Sequence, residues 1–161
     1  MTICYFGDFD PTYARNKVII EGLKENGVTV LLCRTEQYNF WSKIKDLRHQ
    51  LKKISKFDFF IVGYSDSRWV VPLLKVTSNK KIIWDAFYSR YDSWVADRQL
   101  MSPYSPKAWY HWFSDFLSIR LADKILLDTY THIEYFRRTF IVGEHKFIRV
   151  LIGADNTIFY P

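Results

Sequence analysis

The first apolar run of the chain, Thr2–Phe6, leads directly into Gly7-Asp8-Phe9-Asp10-Pro11-Thr12. Two carboxylates spaced Asp-x-Asp thus stand together at the end of such a run, where paired acids can do acid/base work. Tyr13-Ala14-Arg15-Asn16 follows at the start of a predicted helix, where a cation and free N–H groups favour an anion such as a phosphate. A second cluster lies in and after the run Lys81–Phe87: Asp85, Tyr88, Arg90, Tyr91, Asp92, Trp94, Asp97 and Arg98, on a connection reaching Tyr104. Structureless connections beyond roughly 12–15 residues are usually functional or disordered, and this one is too aromatic for a passive linker. Ser65, Asp66 and Ser67 follow the run Asp58–Gly63, and Thr129 and His132 follow Lys124–Asp128.

Several of these residues have plainer roles open to them. Asp66 and Ser67 suit capping of a third helix, and Thr129 or Thr131 capping of a fifth. Thr131-His132-Ile133-Glu134 has the Thr-x-x-Glu form of a capping box. Asp85 is harder to place, because a carboxylate at the end of a buried strand needs a partner or a ligand. His49, His111 and His145 are expected at the surface, and Cys4 and Cys33 as inert buried thiols. Two cysteines cannot make a metal site alone, and no metal or cofactor is expected. The first turn lacks Gly-x-Gly-x-x-Gly and the second strand ends in Cys33-Arg34, without an acidic ribose ligand, which argues against a nicotinamide dehydrogenase.

Positioning these groups falls to alternating elements. Strand-like runs span Thr2–Phe6, Val28–Cys33, Asp58–Gly63, Lys81–Phe87, Lys124–Asp128 and Phe147–Ile152. They are nearly continuous in Ile, Val, Leu and Phe, as strands covered on both faces are. Between them, helical patterns run over Tyr13–Asn26 (stopped by Gly27), Trp41–Ser55, Arg68–Ser78, Ser105–Ala122 and Thr131–Phe140. In the second, Trp41, Ile44, Leu47, Leu51 and Ile54 form an apolar stripe. The third contains Pro72, tolerated only near a first turn. Strict alternation with right-handed crossovers predicts an α/β fold: a Rossmann-like, doubly wound parallel sheet in three α/β/α layers. Ligands of such sheets bind beyond the strands' carboxyl ends, where strand order reverses. With the first strand central, the first and fourth strands are expected to flank that crevice.

The 161 residues are 48% hydrophobic and 25% charged, one ordinary domain with material for a core. No apolar run reaches the roughly 18–20 residues of a membrane span, and Met1-Thr2-Ile3-Cys4 has no cationic leader, so a cytoplasmic protein is expected. Aromatics make up 19% and the net charge is +6, which favours an anionic partner or substrate. Lys43, Lys45, Arg48, Lys52, Lys53 and Lys56 give the second helix a cationic face. With Trp41 it suits peripheral contact with an anionic membrane through Trp41–Lys56. No nucleic-acid motif is present, and none is expected as a partner.

Two resemblances extend this reading. Asp8-Phe9-Asp10-Pro11-Thr12 resembles the first motif of haloacid-dehalogenase-type phosphatases, which implies a Mg²⁺-dependent phosphatase using Asp8 and Asp10. Over nearly its whole length the chain resembles the N-terminal, acceptor-side domain of family 4 glycosyltransferases of the GT-B fold. The residues that carry the likeness are Tyr5–Asn16 with Gly22-Leu23 and Gly27–Val30, Trp84–Ser93 to Asp97-Arg98, and Ala122–Thr129 with His132, Tyr135-Phe136 and Phe140. Gly153-Ala154-Asp155 and Phe159-Tyr160-Pro161 complete it. This second likeness is the more extensive. It implies that residues 1–161 are a single Rossmann-like half of a two-domain enzyme, without the domain that binds a nucleoside-diphosphate sugar. Such a half is expected to be silent alone. The whole enzyme would transfer a sugar, with retention, to a sugar or lipid-linked acceptor hydroxyl. The resemblance puts Asp8 and Asp85 at the reacting centre, with Gly7, Tyr13, Arg15, Asn16, Ser65, Tyr88, Asp92, Arg98, Thr129 and His132 around substrates.

Overall fold

A computed structural model of the chain describes residues 1–54, 56–65 and 67–153. Among them six strands form one parallel sheet: β1 (Thr2–Gly7), β2 (Thr29–Arg34), β3 (Phe59–Val62), β4 (Ile82–Phe87), β5 (Lys124–Leu127) and β6 (Phe147–Arg149), in the order β2-β1-β3-β4-β5-β6. The helices are α1 (Ala14–Glu25), α2 (Phe40–Lys53), α3 (Val70–Thr77), α4 (Pro106–Leu121) and α5 (Tyr130–Phe140). The expected α/β, Rossmann-like sheet is what the chain forms.

The two faces of the sheet hold different cores, because successive side chains of a strand point to opposite sides. Ile3, Tyr5, Phe59, Ile61 and Ile83 pack with Ile19, Ile20 and Leu23 of α1. Cys4, Phe6, Phe60, Val62, Trp84, Ile125 and Leu127 meet residues of the other four helices, among them Leu47, Leu74, Ile119 and Phe136. The layers are therefore three, with α1 on one side and α2–α5 on the other. Chain reversal explains this. The step from β1 to β2 runs one way across the sheet and all later steps run the other, so right-handed crossovers place α1 alone.

Local signals mostly act as their chemistry dictates. Gly27, at φ 75°, ends α1, and Ser105 Oγ caps α4 by accepting from the Ala108 N–H at 3.1 Å, with Pro106 in the first turn. Pro72 falls in the first turn of α3. At the start of α5 the cap is Thr129, whose Oγ accepts from the His132 N–H at 3.1 Å, so the Thr131 capping box does not form. Ser67 does not cap α3 either: Trp69 is the capping position, without a side-chain bond. Asp66 and Ser55, the latter the expected last residue of the second helix, lie outside the described residues. Strand β6 ends at Arg149, three residues short of expectation.

Three further expectations change. The connection after β4 is structured, with a turn of π-helix at Asp92–Asp97. His111 is 4% exposed rather than a surface residue, because the Trp94 ring of that turn covers it at 5.3 Å between centroids. Trp41 is 74% exposed and so stands outside the apolar stripe of α2, which buries Leu47 and packs Leu51 and Ile54. Cys4 and Cys33 are buried free thiols, as expected, and the hydrogen-bonding contact with Cys33, together with burial, pushes the Cys4 thiol far above its usual range. No helix among the described residues is long and apolar enough to cross a membrane.

Candidate functional site

Because β2 lies outside β1, strand order reverses between β1 and β3, and the crevice opens there rather than between β1 and β4. Gly7 ends β1 at φ 135°, a conformation few side chains allow, and so turns the chain into Asp8. Gly63 ends β3 close under the rings, where a Cβ would lie 2.4 Å from Tyr5 Cε1. Asn16 of α1, fully buried, ties the crevice shut from below. Its Oδ1 accepts from Tyr5 Oη and from the Tyr64 N–H, both at 3.0 Å, and its Nδ2 donates to the carbonyls of Asp10 and Tyr64 at 2.9 and 3.0 Å.

Above this floor lies a cavity of about 400 Å³ lined by Asp8, Asp10, Tyr13, Asn16, Lys43, Tyr64, Ser65 and Ser67. The Asp8 side chain is 5% exposed, and its Oδ2 accepts from Lys43 Nζ at 2.7 Å and from Ser67 Oγ. Its other oxygen, Oδ1, is buried and has no hydrogen-bond partner among the described residues. A buried carboxylate oxygen without a donor is costly, so this atom asks for a ligand's O–H or N–H. The Tyr13 and Tyr64 rings lie 5.2 Å apart beside it. Asp10 instead closes its own turn, accepting from the Thr12 N–H and Oγ at 2.8 and 2.7 Å, which holds its carboxyl below the usual aspartate range.

A second cavity, of about 440 Å³, is lined by Tyr88, Ser89, Asp92, Ser93, Asp97, Arg98, Thr131, His132 and Tyr135. Tyr64 Oη donates to Tyr88 Oη at 2.9 Å, so a tyrosine pair joins the two cavities. Beneath them, Arg68 and Asp115 are buried at 3.3 Å. Arg68 donates to the Ala86 and Tyr88 carbonyls at 3.3 and 2.9 Å, and Asp115 accepts from Ser89 Oγ and the Tyr91 N–H at 2.9 and 3.1 Å. This pair anchors the connection that carries Tyr88 and Asp92. Burial raises the Asp92 carboxyl above its usual range and pushes the Tyr135 hydroxyl up to about 12, with the Asp92 charge contributing.

The predicted residues divide into three groups. Asp8, Tyr13, Asn16 and Ser65 meet in the first cavity, with Gly7 at its edge, while Tyr88, Asp92, Arg98 and His132 meet in the second. Thr129 serves as the α5 cap. Asp85 and Arg15 line neither cavity: Asp85 is wholly buried, and Arg15 donates to its two oxygens from Nε at 2.9 Å and from Nη2 at 2.8 Å. Asp85 thus finds the partner it required, and that partner is internal. The Arg15 guanidinium also stacks 4.6 Å over Phe87, whose φ of 61° marks the strained end of β4. Lys43 and Tyr135 are additions that residue spacing did not single out for the site, and Ser67, open to a helix-capping role in the sequence, lines the first cavity instead. One signal could have found Lys43: the first turn of each helix that follows a parallel strand faces the same rim.

No protein-family model matches the chain, and a search of curated proteins finds no match.

Proposed function

We propose that this chain is the acceptor-side half of a glycosyltransferase, which binds a sugar or a lipid-linked saccharide in the crevice beyond β1 and β3. One observation carries the reading: among the described residues Asp8 Oδ1 is buried without a hydrogen-bond partner, and Asp8 lines the cavity at the reversal of strand order. A saccharide hydroxyl supplies the missing donor, and the tyrosine rings beside it suit a sugar's apolar face. In the whole reaction a retaining transfer from a nucleoside-diphosphate sugar would use donor-binding groups of a separate domain, with Asp8 holding the acceptor. Asp85 acts from behind, keeping Arg15 and the end of β4 in place.

The phosphatase alternative fits less well. Asp8 is engaged by Lys43 and Ser67, Asp10 by Thr12, and no group of three His, Cys, Asp or Glu among the described residues could hold a metal ion. Contact with an anionic membrane through Trp41–Lys56 remains part of the proposal. The α2 end exposes Phe40 at 45% and Trp41 at 74%, with Lys45, Lys52 and Lys53 also exposed. The orientation would bring the crevice toward a lipid-linked acceptor, because Lys43 of the same helix reaches Asp8.

The test is calorimetry with methyl glycosides of glucose, galactose and mannose. At least one binds the wild type, and Asp8→Asn weakens it about fivefold or more, the worth of one buried hydrogen bond, without loss of fold. Mg²⁺-dependent hydrolysis of p-nitrophenyl phosphate that disappears in Asp8→Asn would overturn the proposal in favour of the phosphatase.

A further inference from the structure

His132, on the wall of the second cavity, pairs with Asp128. Asp128, at the end of β5, is 7% exposed, and its Oδ1 lies 2.6 Å from His132 Nδ1. The helix start is already satisfied by Thr129, which holds the His132 N–H, so the imidazole is not needed as a cap. Its side chain is 33% exposed and lines the cavity. A carboxylate on one ring nitrogen selects the tautomer: Nδ1 keeps the proton it donates to Asp128, and Nε2 is left with a lone pair.

We infer that the Asp128–His132 pair is a hydroxyl-accepting site, with Nε2 of His132 receiving a hydrogen bond from a neutral saccharide bound in the second cavity. The inference deepens the acceptor reading and rests on it. The surrounding groups specify the class of ligand. Asp92 is a second acceptor on the same wall, and Asp97 adds another carboxylate against the cation of Arg98, so an anionic ligand is disfavoured. A sugar ring offers several hydroxyl donors at once, and Tyr88 and Tyr135 provide ring surfaces beside them. The Tyr64–Tyr88 hydroxyl contact links this cavity to the one at Asp8, so a saccharide longer than one ring can reach both.

The experiment is nitrogen-15 NMR of the labelled chain, reading the His132 ring nitrogens during titration with the same three methyl glycosides and with maltose. The expected result is an Nδ1–H tautomer and a saturable shift of the His132 Nε2 resonance. His132→Ala should weaken that glycoside about threefold to tenfold, as loss of one hydrogen bond does, with the fold retained by circular dichroism. A purely structural histidine would not move the affinity. Asp128→Asn is the second variant, and it should redistribute the tautomers and weaken binding while His132 remains. Glycoside shifts confined to residues around Asp8 would overturn this inference and leave the proposed function standing. Absence of shifts at both cavities would overturn both. An Nε2–H tautomer in the wild type would overturn the inference by itself.

Discussion

Arg15→Met is the sharpest test of how the rim is built. Arg15 and Asp85 have side chains 3% and 0% exposed and meet at 2.8 Å. At a charge separation of about 4 Å and an effective dielectric constant near 20, their attraction is about 4 kcal/mol. Removing one partner of such a pair costs about 3–5 kcal/mol, because the other is left buried without compensation. Arg15→Met also removes the stacking over Phe87. For a domain worth about 5–15 kcal/mol this is a large share. With a urea slope near 2 kcal/mol/M, the midpoint should fall by about 2 M. The assay is urea unfolding at pH 7.5, followed by circular dichroism, of wild type, Arg15→Met, Asp85→Leu and the double variant. The double variant should lose less than the sum of the singles by about 2–3 kcal/mol, since it leaves no orphaned charge. A loss under about 1 kcal/mol for Arg15→Met, or strict additivity, would refute the reasoning and reopen Arg15 as a ligand-binding group.

Other expectations follow from the same contacts. Asn16→Ala removes all four hydrogen bonds of a buried side chain and should cost about 3 kcal/mol or more in urea unfolding. Gly63→Ala places a methyl group against Tyr5 and Phe9 and should cost about 1–3 kcal/mol by overpacking. The folded-state pKa of Asp92 is raised, so the stability it contributes is full at acid pH and is lost as pH rises through that value. Asp92→Asn should therefore raise the melting temperature relative to wild type at pH 7.5 and lose that advantage below the ordinary aspartate range. The buried Cys4 and Cys33 should react with a thiol reagent only as fast as the chain unfolds. Wild type should sediment with vesicles containing anionic lipid, and neutralising Lys45, Lys52 and Lys53 together should release it; indifference to lipid charge would remove the membrane contact.

The sheet was legible because its strands carry unbroken apolar runs, which few alternatives can accommodate. Glycine and serine marked the end of α1 and the start of α4 through backbone chemistry that acts locally. Strand order was less accessible, since apolar runs do not say on which side of β1 the second strand lies, and the expected crevice shifted by one strand for that reason. The site was legible as a rim, but the pairing within it was not. Asp85 and Arg15 are 70 positions apart in sequence, and nothing near either names the other as partner. Likewise, Lys43 is one of several cations on the second helix, and nothing near it names Asp8 as its partner. His111 was misjudged because its burial comes from Trp94, on a π-helical turn without a periodic signature.

The most direct test of the central claim is an amide-resolved NMR titration of the wild-type chain with the methyl glycosides. Saturable shifts at Gly7–Asn16 and at Tyr64–Ser65, requiring about fivefold or more glycoside in Asp8→Asn, are the predicted result. Binding that leaves these residues unmoved, or no binding by any of the glycosides, would contradict the account.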